Sequence, residues 1–167
     1  MFPSRLEGAE LVRALNNFRV DDFDEDVLSA IVCSHVFELF LDAPTNEVLI
    51  AACRLVREAA DRSENCRRAL VDAGGVGIVY EALKQRAEDD AALFQATLGA
   101  LGGLSSYGGH QKDRDFVSLP LLIRLLKKHP SARSSMDGLF LLAEVKEKLL
   151  SEDNTGDEWF YSLPPSF

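Results

Sequence analysis

Between Asn65 and Leu83 the chain reads NCRRALVDAGGVGIVYEAL, and a second apolar run follows from Asp89 to Ser105. Apolar residues recur at helical spacing on both sides of Gly74-Gly75, and glycine is the residue that turns a chain through positive φ. The stretch predicts a short helix over 65–73, a Gly-Gly corner and a second helix marked by Val76, Val79, Tyr80 and Leu83. A polar break at 88–90 and a longer third helix through Phe94, Leu98, Leu101 and Leu104 complete it. A unit of this size cannot bury its apolar face alone, so neighbours of the same kind must stack on it. The layout is that of one unit in a helical repeat array, and such arrays usually bind proteins rather than catalyse reactions.

Helical periodicity continues on either side, and no segment alternates like a strand. An opening amphipathic helix runs through Leu6, Leu11, Leu15 and Phe18. The acidic loop DDFDED at 21–26 follows, its charge favouring the N-terminus of the next helix. That helix presents Leu28, Ile31, Val32, Val36, Leu39 and Phe40 and stops near Asp42, before Pro44. Thr45 or Asn46 can cap the next, whose stripe includes Leu49, Ala52, Val56 and Ala59. Beyond the Gly108-Gly109 break, Ser118 can cap a helix with Pro120 in its first turn and Leu119, Leu122, Ile123 and Leu126 on its stripe. A last helix begins at Pro130-Ser131 and carries Met136, Leu139, Phe140 and Ala143. Aligning the long helices puts Leu55 on Leu101 and Leu104 on Leu142, offsets of 46 and 38 residues. A drifting period of roughly 40 residues belongs to helical-pair and helical-triplet solenoids, and the chain holds about three units, near the minimum for stability.

Composition narrows the partners. The 167 residues suffice for one domain with a real core, and a hydrophobic fraction of 47% argues against wholesale disorder. A formal charge of −9 repels nucleic-acid phosphates and anionic lipid, and the 18 Lys and Arg residues are scattered rather than gathered into a patch. No run approaches the ~18 apolar residues of a membrane span, and the N-terminus lacks a signal-peptide core. Cys33, Cys53 and Cys66 are odd in number and form no CxxC, so they read as free thiols of a reducing compartment, cytoplasm or nucleus.

The stretch from Asn65 to Ser105 resembles an armadillo repeat. The matching residues are Asn65, the pair Ala69-Leu70, the VDAGGV corner at 71–76, the Val79/Leu83 spacing and the closing ALGGLS at 100–105. The segment from Asp113 to Val145 is similar but degenerate: it keeps FVSLPLLIRLLKKH at 116–129 and lacks the corner glycine. Residues 27–60 resemble the second and third helices of a preceding unit, and HEAT-type arrays are the close structural rival. The resemblance implies a right-handed α-solenoid whose third helices line a concave groove for extended peptides. Many family members place an asparagine there to bind the peptide backbone. The matching positions here are Arg57, Gly103 and Leu141, so the asparagine ladder is absent. One turn earlier on that face lie Cys53, Gly99 and Asp137, and Arg54 joins Arg57 at one end of the groove. Gly99, Gly102 and Gly103 inside a helix each cost about 1 kcal/mol relative to alanine. They imply close approach either by a partner or by a neighbouring helix.

Chemistry is hard to find in this sequence. GGVG at 74–77 has Tyr80 where a dinucleotide fingerprint needs its third glycine, and it follows a helix rather than a strand. GLSSYGGH at 103–110 lacks the lysine of a P-loop. Cys33 and His35 lie two apart on a helix and face different ways, so they make no metal site, and His35 reads as an edge-of-core residue. His110 near Ser105 and Ser106 has no acid at a telling spacing. The acidic groups at 24–26 and 88–90 read as solvated loops and helix starts. The sequence therefore predicts neither an enzyme nor a cofactor or metal.

The C-terminal stretch SEDNTGDEWFYSLPPSF at 151–167 departs from the helical pattern and holds the only tryptophan. Three readings stay open for it: its rings fold back to cap the solenoid, Trp159 and Phe160 anchor a short linear motif, or the stretch is frayed. The expectation is thus an all-α, armadillo-like repeat domain over 1–150 followed by an acidic, aromatic tail over 151–167. Its expected role is a protein-interaction adaptor or scaffold that binds a protein or peptide partner, with no nucleic acid and no membrane. Candidate contacts are Arg54, Arg57, Gly99, Gly103, Asp137, Trp159 and Phe160. The alternatives are a nucleotide-exchange co-chaperone of the seventy-kilodalton heat-shock chaperone, or a structural piece of a larger array held by self-association.

Overall fold

The computed structural model describes residues 8–105 and 119–129, and every regular element among them is helical. In chain order these are α1 (Ala9–Asn17), a 3-10 turn (Val20–Asp22), α2 (Glu25–Ile31), a π-helical turn (Val32–Val36) and α3 (Phe37–Leu41). Then come α4 (Asn46–Arg62), α5 (Glu64–Asp72), α6 (Gly75–Arg86), α7 (Ala91–Ser105) and α8 (Leu119–Lys128). No described helix is long and apolar enough to cross a membrane.

Local chemistry sets the helix starts. Thr45 Oγ1 accepts the Val48 N–H at 3.4 Å to begin α4, and Ser63 Oγ accepts the Cys66 N–H at 3.1 Å to begin α5. Asp90 Oδ1 accepts the Leu93 N–H at 3.0 Å to begin α7. Each side-chain oxygen satisfies one of the backbone donors that a helix N-terminus leaves without a partner. The Gly-Gly corner is equally specific. Gly74 takes φ 83°, a left-handed conformation that glycine adopts without a side-chain clash. Gly75 is needed for space rather than for φ, since a β-carbon there would lie 2.7 Å from the Leu70 carbonyl oxygen and 2.8 Å from Phe37 Cζ. The first glycine turns the chain, and the second lets α5 and α3 close on α6.

The segment from α2 to α3 forms one rod, because backbone angles stay helical through the π turn. A π turn fits an extra residue into the rod and rotates the side chains that follow. Leu28, Ile31, Val32 and Val36 are buried as the apolar stripe predicts. Past the turn the buried ring is Phe37, while Leu39 and Phe40 stay at the core edge. His35, expected at the edge of the core, is exposed instead, because the widened turn carries it to the outer side. α1 buries Leu11 and Leu15, and Phe18 just beyond it stacks on Phe23 with ring centroids 4.9 Å apart.

α4 is the centre of the packing. It lies against α7 along its length and also meets α1, α5 and the α2–α3 rod, while α6 packs on α7 and α3. Leu49, Ala52, Leu55, Val56, Ala59 and Ala60 of α4 are all fully buried. α7 has no charged residue, and Leu93, Phe94, Leu98, Ala100, Leu101 and Leu104 are buried around most of its circumference. A helix that is apolar all round has to sit inside a fold. Its buried Thr97 is satisfied within the helix, donating from Oγ1 to the Phe94 carbonyl at 2.8 Å. α8 contributes Leu125, a residue outside the stripe expected for that helix, which is buried.

The long-range hydrogen bonds cluster at one sequence span. Asn46 to Asp90 covers 44 residues and Arg86 to Ala43 covers 43. Arg62 to Asp21, Cys66 to Glu25 and His129 to Glu88 each cover 41. Lys128 to Asp89 covers 39. These bonds therefore span 39 to 44 residues, somewhat less than the 46 that separate Leu55 from Leu101. Leu142, the last helix from Pro130 and the 151–167 tail lie outside the described residues.

We expect Gly75→Ala to lower stability by about 1–3 kcal/mol, because its β-carbon meets a backbone carbonyl that cannot move aside. The urea midpoint of the variant measures this, and a midpoint equal to wild type would show that α5 and α6 separate more easily than the geometry implies. We expect Asp90→Ala to lose about 1–2 kcal/mol, since it removes the α7 cap together with the Asn46 bond.

Candidate functional site

Of the contacts expected from the sequence, Arg54, Arg57 and Gly99 lie on the outward side of α4 and α7, while Gly103 is buried. α4 presents Arg54, Arg57 and Glu58, each partly buried, with Asp61 exposed. α7 presents Ala92 and Gln95, both exposed, with Ala96 and Gly99 partly buried. Cys53, one position before Arg54, turns inward and is completely buried. Asp137, Trp159 and Phe160 lie outside the described residues.

The two arginines are built into the fold in the same way. Arg54 donates from Nη1 to Glu58 Oε1 at 2.7 Å and from Nη2 to the Leu15 carbonyl of α1 at 2.7 Å. Arg57 donates from Nε to Asp61 Oδ2 at 2.7 Å and from Nη1 to the Gly99 carbonyl of α7 at 3.0 Å. Each guanidinium is thus held by a carboxylate one turn on and reaches a main-chain oxygen of the helix alongside. Arg54 ties α4 to α1, and Arg57 ties α4 to α7. Both side chains remain 35% exposed, so solvent screening keeps the ion-pair part small. The geometric part is larger, because the planar fork serves two acceptors at once.

Arg57 also accounts for one of the glycines inside α7. A β-carbon on Gly103 would lie 2.8 Å from Arg57 Cδ and 3.5 Å from the Ala60 β-carbon. The stem of Arg57 occupies that space and delivers its guanidinium to Gly99, one turn earlier. At Gly103 the close approach is made by a neighbouring helix. Arg57 and Gly103, matched as equivalent positions one period apart, meet across the α4–α7 seam.

Beside Arg54 the surface opens into a cleft of about 680 Å³. Its walls are the end of α1, the 3-10 turn and the C-terminal half of α4, with Phe18 and Val20 as the apolar part. Four carboxylates line it, those of Asp21, Asp22, Glu58 and Asp61, and so do the guanidiniums of Arg19, Arg54 and Arg62. Arg62 holds Asp21 at 3.0 Å, which pins the turn to the end of α4. With Arg57 bound to Asp61, the local charge is balanced. Glu58 and Asp61 could have been found in the sequence, since each lies four residues after an arginine on the same helix. Asp21 and the Leu15 carbonyl could not, because only packing brings them to α4.

Several other titratable groups make structural contacts. Asp90 is held below the usual carboxylate range by the Leu93 N–H and then by Asn46. Asp89 is lowered by its hydrogen bond from Lys128, which binds it at 2.8 Å. These two residues, read from sequence as a loop and a helix start, hold α8 and begin α7. His129 packs on Phe94 with ring planes tilted by 36° and centroids 5.3 Å apart, and donates from Nε2 to the Glu88 carbonyl at 2.9 Å. Burial pushes the Cys53 thiol from its ordinary value near 9 up to about 12. Cys33 and Cys66 are also raised, chiefly by burial. Among the described residues no group of three or more His, Cys, Asp or Glu side chains is placed to hold a metal ion.

Arg57→Ala should cost about 1–2 kcal/mol through the lost charge-assisted bonds, whereas Gly103→Ala should stay within about 1 kcal/mol of wild type, its gain in helix propensity offset by displacement of Arg57. Because the two residues touch, a double-mutant cycle should give a coupling above about 0.5 kcal/mol; strict additivity would mean that Arg57 does not sit over Gly103. For Cys53, the folded thiol keeps its proton to higher pH than the unfolded one. The stability from burying it neutral is complete below pH 9 and is lost as pH rises toward 12. Chemical denaturation at pH 8–11 should show wild type losing stability faster than Cys53→Ala, by up to about 1.4 kcal/mol per pH unit. Parallel curves would place the thiol in contact with water.

No family model matches the chain, and no curated protein or solved structure matches it.

Proposed function

We propose that this chain is an armadillo-like right-handed solenoid of about three units that works as a protein-interaction adaptor. On this reading α5, α6 and α7 are one unit, and the α2–α3 rod and α4 are the second and third helices of the unit before it. The observation that carries the proposal is the pairing of like with like: α4 lies on α7, α3 lies on α6, and the long-range hydrogen bonds span about one period. Stacked units of this kind share one core and expose a row of equivalent helices. The row here is α4 and α7, with Arg54, Arg57, Gln95 and Gly99 on its outward side.

An adaptor needs a rigid surface more than it needs reactive groups. Tying both arginines to neighbouring helices supplies that rigidity, because a pre-ordered face loses little conformational entropy on binding. The small residues Ala92, Ala96 and Gly99 leave α7 low enough for a partner's backbone to approach. Arg54 and Arg57 each keep about a third of their surface in water, and polar partners can reach them there. The net charge of −9 steers such a face away from nucleic acid and anionic membranes.

A pull-down from native cell extract with wild type, Gln95→Arg and Arg54→Glu/Arg57→Glu tests the reading. Gln95 is exposed, so its variant should melt with wild type and still lose at least tenfold of the captured partner. The arginine double variant should lose the partner as well, with a lower melting temperature from the two broken ties. A partner retained at full level by folded Gln95→Arg would remove the α4–α7 face as the recognition surface.

A further inference from the structure

We draw no further inference here: the strongest candidate, the open cleft between the end of α1, the 3-10 turn and the C-terminal half of α4, belongs through Arg54 to the site already described, and its balanced carboxylates and guanidiniums select no ligand.

Discussion

The seam between α4 and α7 is the contact that holds the other elements in place. α7 is uncharged and apolar on nearly every side, so in water it is stable only when enclosed. α4 supplies one wall with a run of small and branched side chains, and α6 and α5 supply others. Alanines at positions 52, 59 and 60 keep α4 slim enough for close approach. The remaining helices attach to this pair: α1 through Leu11 and Leu15, the α2–α3 rod through Leu28, Val32 and Phe37, and α8 through Leu125 and His129. Burial of each large aliphatic side chain contributes about 1.5–3 kcal/mol, which makes the shared core the dominant favourable term.

Apolar packing alone would let α1, α4 and α7 slide along one another, since it has little directionality. Arg54 and Arg57 remove that freedom. Each meets a carbonyl on the adjacent helix, and a shift of one turn would lose that bond. Their carboxylate partners lie on α4 itself, so each guanidinium is held from its own helix as well as from the neighbouring one. The ties across the other edge work in the same manner: Asn46 joins the starts of α4 and α7 through Asp90, and Arg86 reaches the Ala43 carbonyl before α4. Directional polar bonds at the rims thus fix the register of a core that is held together without direction.

Much of this was legible in the residues. The apolar stripes of α4, α6 and α7, the cap at Thr45 and the turn at Gly74 all follow from rules that act within a few residues. The same rules misplaced His35 and passed over Phe37 and Leu125. The π turn between α2 and α3 explains His35 and Phe37, because an inserted residue breaks the constant angular step on which stripe reading relies. The rod meets α4 on one side and α6 on another, and no local signal in VCSHV announces the turn.

That the described chain is helical, where most of its helices begin and which residues of α4, α6 and α7 form their buried stripes follow from the residues alone. Those properties depend on side chains three or four positions apart, and that spacing is printed in the chain. The roles of Arg54, Arg57 and the α7 glycines emerge only when the helices pack. The two arginines find their partners in the carbonyls of Leu15 and Gly99, 39 and 42 residues away. Backbone oxygens carry no residue identity, so nothing in the sequence distinguishes them from any others. Packing of one helix against the next selects them, and the same packing sets the shape of the face they support.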